Sequence, residues 1–422
     1  MKVDVEELGA CKRRLQVEET REVVEQAWEQ AFVRVQKEAR LPGFRKGKVP
    51  RSMVKLHFSG DVKQEVARHL IPEVYRQALE ETKLRPVEEP DLQDVTLEES
   101  APLKFSAVVE IKPTVTLGKY VGLDVKHAPK PFAETEVDEA LATLQEQHAL
   151  FRAVERPADV GDLVIMDYTL APDGSEPRAE TGYAFTIGSG AVMPEIEEAV
   201  IGLGPGGSRT TRVRFPDDHR TEALRGKSGE AAVKVSEVKE KVLSPLDDDF
   251  ARSLGAFETL DALRVEVRTG LMSRREQENR ATLEHAVLEA ALAEHPFEVP
   301  DALVTRQVGY QVEHMREHMR RQGVDPDRVP WDYAKLLAEL RPAAGRAVQR
   351  ALLIEAIAEK EGLLPDDALV DAEVARIAGS RQRPVPAVRS MLEQNGDLER
   401  IRISLMEKRT VDFLIERAAI TP

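Results

Sequence analysis

The string Gly43-Phe44-Arg45-Lys46-Gly47-Lys48-Val49-Pro50 places Arg45, Lys46 and Lys48 around one aromatic residue. Pro42 and Pro50 bracket it, and its two glycines weaken any helix, so it reads as a tight exposed loop between helices. The chain as a whole is acidic, with 75 Asp+Glu against 60 Lys+Arg and a formal charge of -15. Between Arg34 and Lys55 the balance reverses: Arg34, Lys37, Arg40, Arg45, Lys46, Lys48, Arg51 and Lys55 face only Glu38. Positive charge gathered at one point of an acidic body gives a polyanion a single docking place and repels it elsewhere.

Other residues with chemical potential lead less far. His314 and His318 stand four apart, an acceptable spacing for metal ligands on one helix face. No third ligand accompanies them, and Met315, Arg316 and Met319 make the stretch an ordinary helical face, so no metal is expected. Asp247, Asp248 and Asp249 suit a helix start, where the dipole favours negative charge. The glycine-rich run 202–207 contains Pro205 and lacks the Lys-Ser/Thr of a phosphate loop, so neither nucleotide nor any other cofactor is expected. Cys11 is the one cysteine, which excludes an internal disulfide and suits a reducing cytoplasm. The first residues lack the apolar core of a signal peptide, and no apolar run approaches a membrane span. The expectation is a soluble cytoplasmic protein with no membrane partner.

A chain of 422 residues with 32% charged and 5% aromatic residues suggests several domains and long solvated helices. Residues 1–113 read as one α/β unit: Val3/Val5 and Leu15/Val17 alternate as strands, and Thr20 offers a helix N-cap. Pro50 then opens a short helix, a longer one follows from Asp61, and 92–97 and 105–111 read as closing strands. Residues 114–150 form a linker ending in a helix from Thr135 to His148, expected to pack with later helices. Residues 151–243, rich in Gly, Pro and β-branched types, read as a small antiparallel sheet with a turn at Pro172-Asp173-Gly174. Residues 244–422 read as helical, with long amphipathic stretches at 260–295, 301–320 and 331–361 and shorter ones at 366–377 and 398–417. Pro342 is expected to kink or split the third, and Pro384 and Pro386 to separate the last two. The fold class is multidomain α+β.

The 43–50 string resembles the ribosome-binding signature of the trigger factor family, chaperones that meet nascent chains at the tunnel exit. The resemblance implies that Gly43, Phe44, Arg45, Lys46, Gly47 and Lys48 dock on ribosomal protein and RNA. It extends along the chain. Residues 161–168, 185–194, 203–207 and 215–219 are similar to the strands, central turn and pocket loop of an FKBP-type prolyl isomerase. The helical remainder then becomes a chaperone domain with arms that holds nascent or unfolded polypeptides without ATP. A homodimer off the ribosome is a further expectation.

An isomerase of this kind needs no acid, base or metal. The barrier of about 18–20 kcal/mol to X–Pro rotation comes from amide resonance, which an apolar aromatic cup weakens by favouring the twisted imide. The resemblance assigns the cup to Tyr168, Phe185, Val192, Met193, Ile196, Phe215 and His219. Three aromatics of the pattern are replaced, by Ile196, Pro177 and His219, so the activity is expected to be weak. For client contacts the flexible Met315, Met319 and Met391, with Leu414, are the candidates. The competing reading is a free-standing FKBP-type isomerase whose helices dimerise or bind peptides, with no ribosome contact.

Overall fold

The computed structural model describes residues 1–42, 44, 45, 47–173, 176–217 and 225–422. The chain divides into two compact units, Met1–Ala128 with Ala281–Pro422, and Pro129–Arg280.

The first unit begins with an α/β head. Strands β1 (Lys2–Glu7) and β2 (Lys12–Glu19) lead to helices α1 (Arg21–Glu38), α2 (Arg51–His57) and α3 (Ser59–Thr82). Strands β3 (Asp91–Thr96) and β4 (Leu103–Glu110) close an antiparallel sheet of order β1-β2-β4-β3. Strand β4 buries Leu103, Phe105, Ala107 and Val109, the period of two that a one-sided sheet requires. Val62, Val66, Leu70, Val74 and Ala78 recur at every fourth residue of α3 and press against this face with Val24, Trp28 and Phe32 of α1. A short strand β5 (Asp124–Lys126) ends this part.

In the second unit, α4 (Thr135–Gln147) buries Val137 and Leu141 with Phe250 and Leu263. Strands β6 (Leu150–Val154), β7 (Leu163–Pro172), β8 (Arg178–Thr186), β9 (Ser208–Arg214) and β10 (Ser228–Val242) form an antiparallel sheet, with α5 (Pro194–Val200) against it. The long strand β10 is its hub, pairing with β6, β7 and β9. Helix α6 (Asp248–Ser253) starts where the Phe250 N–H donates to Asp247 Oδ1 at 2.9 Å, the role expected of that acidic run. Helix α7 (Leu260–Ala293) begins here, and from residue 281 it belongs to the first unit.

The first unit resumes with α8 (Asp301–Arg321), α9 (Tyr333–Glu361), α10 (Asp367–Ser380), α11 (Val385–Gln394), α12 (Asp397–Arg417) and strand β11 (Ala419–Thr421), which pairs in parallel with β5. Val287, Leu353, Ile357 and Leu414 form one apolar centre, and Leu303, Val308, Val348 and Leu352 another. Pro342 does not split α9, which runs on to Gly362 at φ +66°. Pro384 and Pro386 lie between α10 and α12, as their role as separators requires, and there they also open α11, which the sequence patterning does not mark. A proline in the first helical turn has no intrahelical acceptor to forfeit, so it favours a start there. Among the described residues no helix is long and apolar enough to cross a membrane.

Candidate docking loop, isomerase pocket and helical cavity

The loop between α1 and α2 is anchored at both ends. Ala39 leaves the helix at φ -57°, ψ 130°, and Ala39 and Val49 are both buried in the head core. Gln36 donates from Nε2 to the Val49 carbonyl at 2.6 Å, clasping the returning strand to the end of α1. Two turns fold the span between: the Phe44 N–H donates to Leu41 O at 3.0 Å and the Lys48 N–H to Arg45 O at 2.9 Å. Gly47 sits at φ +78°, a left-handed conformation that costs glycine little and other residues more. Phe44 is 41% exposed at this tip although its side chain is apolar. Gly43 and Lys46 lie outside the described residues.

The fold corrects the charge count made along the chain. Arg34 pairs with Glu65 at 3.3 Å, Lys55 with Glu99 at 2.6 Å, and Arg51 with Glu29, all carboxylates distant in sequence. Arg51 also lies over the Phe32 ring at 4.8 Å. Among the described residues, Lys37, Arg40, Arg45 and Lys48 have no carboxylate partner. The uncompensated charge is therefore narrower than the sequence implies, and it falls between Lys37 and Lys48, the segment that carries Phe44.

The pocket residues divide. Phe185 and Ile196 are buried in the sheet core, with Tyr168, Val192 and Met193 half-buried against it. Phe215 is also buried, its N–H donating to Lys227 O at 2.9 Å, but it is not part of that cluster. His219 lies outside the described residues. Tyr183, not among the expected pocket residues, joins the group: it meets Tyr168 edge-on at 5.7 Å and lies 6.2 Å from Phe185. Its signal was available, since Tyr183 and Phe185 are two apart on one strand and so share a face. The Tyr168 hydroxyl donates to Glu180 at 2.5 Å. Burial, and then this carboxylate, push its pKa up to about 12. Of the described candidates, only Tyr168 lines the adjoining cavity of about 480 Å³.

In the helical part a cavity of about 800 Å³ is walled by Leu303 and Tyr310 of α8, Val348 and Leu352 of α9, and Ile403 and Met406 of α12. Tyr310 and Ile403 are 61% and 45% exposed. Met315 is exposed, Met319 and Met391 are half-buried, and Leu414, expected as a surface contact, is sealed in the core. Its helix presents that face to α7 and α9, which periodicity along one helix cannot reveal. His314 and His318 are both exposed, and His318 hydrogen-bonds Gln322.

Comparison with known proteins places this arrangement. The model of the bacterial trigger factor protein matches residues 1–144, and that of the trigger factor C-terminus matches residues 259–416. The trigger factor of Moorella thermoacetica is 34% identical over 100% of this chain and 96% of its own. This chain belongs to the bacterial trigger factor family. The trigger factor of Desulforamulus reducens agrees, at 33% identity over 100% of this chain and 98% of its own. A solved trigger factor chaperone, described for promiscuous substrate recognition in folding and assembly, has the same fold at TM-score 0.51 and 20% identity, covering 99% of both chains. As a trigger factor the chain is a ribosome-associated chaperone, in a family known for a prolyl isomerase domain. Similarity from end to end disfavours a free-standing isomerase with an unrelated helical module.

Proposed function

We propose that the 40–49 loop is the ribosome-docking element of this trigger factor, acting in the cytoplasm on ribosomal protein and RNA at the tunnel exit. The observation that carries this reading is an exposed Phe44 in a segment whose four described cations have no carboxylate partner among the described residues, on a chain of charge -15. The cations supply salt-dependent attraction to phosphate, and the aromatic ring supplies an apolar contact that is favoured by its removal from water. Cosedimentation with ribosomes tests it: the F44A/R45A/K46A chain should stay in the supernatant. Each cation removed should also flatten the salt dependence of binding by about 0.7–0.9 in log–log slope. Pelleting of that variant at the level of the unaltered chain would refute the docking role.

Clients, nascent or unfolded, are held in the cavity of the helical part without ATP; its partly exposed Tyr310 and Ile403 favour this reading. The sheet domain is a weak FKBP-type isomerase. Its Tyr168, Tyr183 and Phe185 cluster retains aromatic character, while Ile196 fills with an aliphatic side chain a place where the family pattern has an aromatic. Proline-limited refolding of a test protein, with the full chain and its Tyr168→Ala variant, decides the matter. A rate equal to the uncatalysed one would leave this domain a binding or spacing module. Self-association off the ribosome completes the partner set and is read by sedimentation velocity.

A further inference from the structure

The last strand of the head reaches directly into the helical part. Helix α8 begins after Pro300, whose side chain cannot cap the free N–H groups of the first turn. The missing acceptor comes from the head: the Ala302 N–H donates to Glu110 Oε2 at 2.7 Å. Glu110 Oε1 meets Lys12 at 3.2 Å, and Lys12 lies 3.7 Å from Asp301, which in turn holds Arg341 at 2.6 Å. Cys11 Sγ donates to Glu298 O at 3.4 Å, and Val87 packs on the Leu303 and Val304 cluster. Two residues beyond Glu110, Lys112 binds both oxygens of Glu355 on α9, at 2.7 and 2.8 Å. Lys112 and Glu355 also line the 800 Å³ cavity, beside Leu303 and Tyr310.

We infer that Glu110 and Lys112 are positioning residues for client binding: the head grips α8 through Glu110 and α9 through Lys112, and so sets the width of the cavity between them. The inference rests on the reading of this cavity as the client site. A carboxylate at a helix N-terminus is favoured by both the dipole and the free N–H groups. The Lys112 pair is partly exposed and contributes modestly by itself, so its effect on binding is expected to be a few-fold.

The test uses the full chain, a fluorescently labelled, permanently unfolded protein as probe, and ribosome pelleting as a second readout. Lys112→Glu and Glu355→Lys should each weaken probe binding about threefold, and K112E/E355K should restore it, with ribosome pelleting unchanged. The two single changes alter the cavity's charge in opposite directions. Opposite effects on the probe would mean direct electrostatic contact with the client and would overturn the positioning role. So would wild-type affinity in both, or failure of the double variant to recover. Glu110→Ala should speed amide exchange at Ala302 about fivefold while the rest of α8 stays protected, and weaken probe binding as well. Unchanged exchange or unchanged probe affinity in this variant counts against the inference. Ile403→Asp separates the two levels. If it weakens binding while the head variants do not, the cavity reading stands and the positioning role falls. If it leaves binding unchanged, both fall.

Discussion

Gln36 and Val49 are joined by a 2.6 Å hydrogen bond from the Gln36 amide to the Val49 carbonyl, and this bond closes the base of the proposed docking loop. Thirteen residues of sequence separate the partners, so the bond defines the loop's two ends while Phe44 remains outside. Replacing Gln36 by Ala should leave the head folded, because Val49 stays buried, at a cost of about 1 kcal/mol. Ribosome affinity should fall further than this stability loss, since a loosened loop must be reordered on binding. Equilibrium unfolding and ribosome pelleting of Q36A compare the two.

Gly47 at φ +78° gives a second handle on the same loop. A Cβ there would meet nothing closer than 3.7 Å, so the penalty of Gly47→Ala is conformational and not steric. The expected destabilisation is about 1 kcal/mol, and Gly47→Val should cost more because its branched side chain tolerates positive φ poorly. Thermal unfolding of the two variants measures the difference.

In the sheet domain Asp162 is buried and accepts from both terminal nitrogens of the Arg156 guanidinium, at 2.6 and 3.0 Å, and from the Asp159 N–H at 3.0 Å. Burial pushes its carboxyl pKa up, but the Arg156 and Asp159 hydrogen bonds outweigh that and hold it below the ordinary value. A depressed carboxyl contributes its stability in full above the unfolded value of about 3.9, and loses it as pH falls through the lower folded value. Asp162→Asn should therefore be less stable than the unaltered chain at pH 7, by about 1–3 kcal/mol. The gap should narrow below about pH 4. Denaturant titrations across this range would expose a gap of the opposite trend.

Tyr168 offers a spectroscopic check on the proposed isomerase pocket. Burial and Glu180 raise its pKa to about 12, so its phenol should ionise after exposed tyrosines, which titrate near 10. Glu180→Gln should bring the value down without returning it to 10, because burial remains. Resonances of isotopically labelled tyrosine followed with pH report both values.

Among the described residues, Tyr75 at the edge of the head core has a buried hydroxyl with no protein hydrogen-bond partner. Leaving such a group unpaired costs about 1–3 kcal/mol, so Tyr75→Phe should be neutral or stabilising where most core changes destabilise. A lower unfolding midpoint for Y75F would show that the hydroxyl is satisfied in solution.

By itself the sequence determined most of the elements and the family, though not α11. Alternation placed β2 and β4, four-residue spacing placed α3, and the 43–50 string carried the docking signature, because these signals lie within one segment of chain. Only the tertiary structure decided which cations are free. Arg34, Arg51 and Lys55 are neutralised by Glu65, Glu29 and Glu99, so charge that looked spread over 22 positions contracts to the segment from Lys37 to Lys48. The tertiary structure likewise sealed Leu414 in the core and brought Glu110 to the start of α8, 192 residues away in sequence. The reason is the same in each case. Burial and ion pairing depend on what lies across a contact, and that partner comes from another part of the chain.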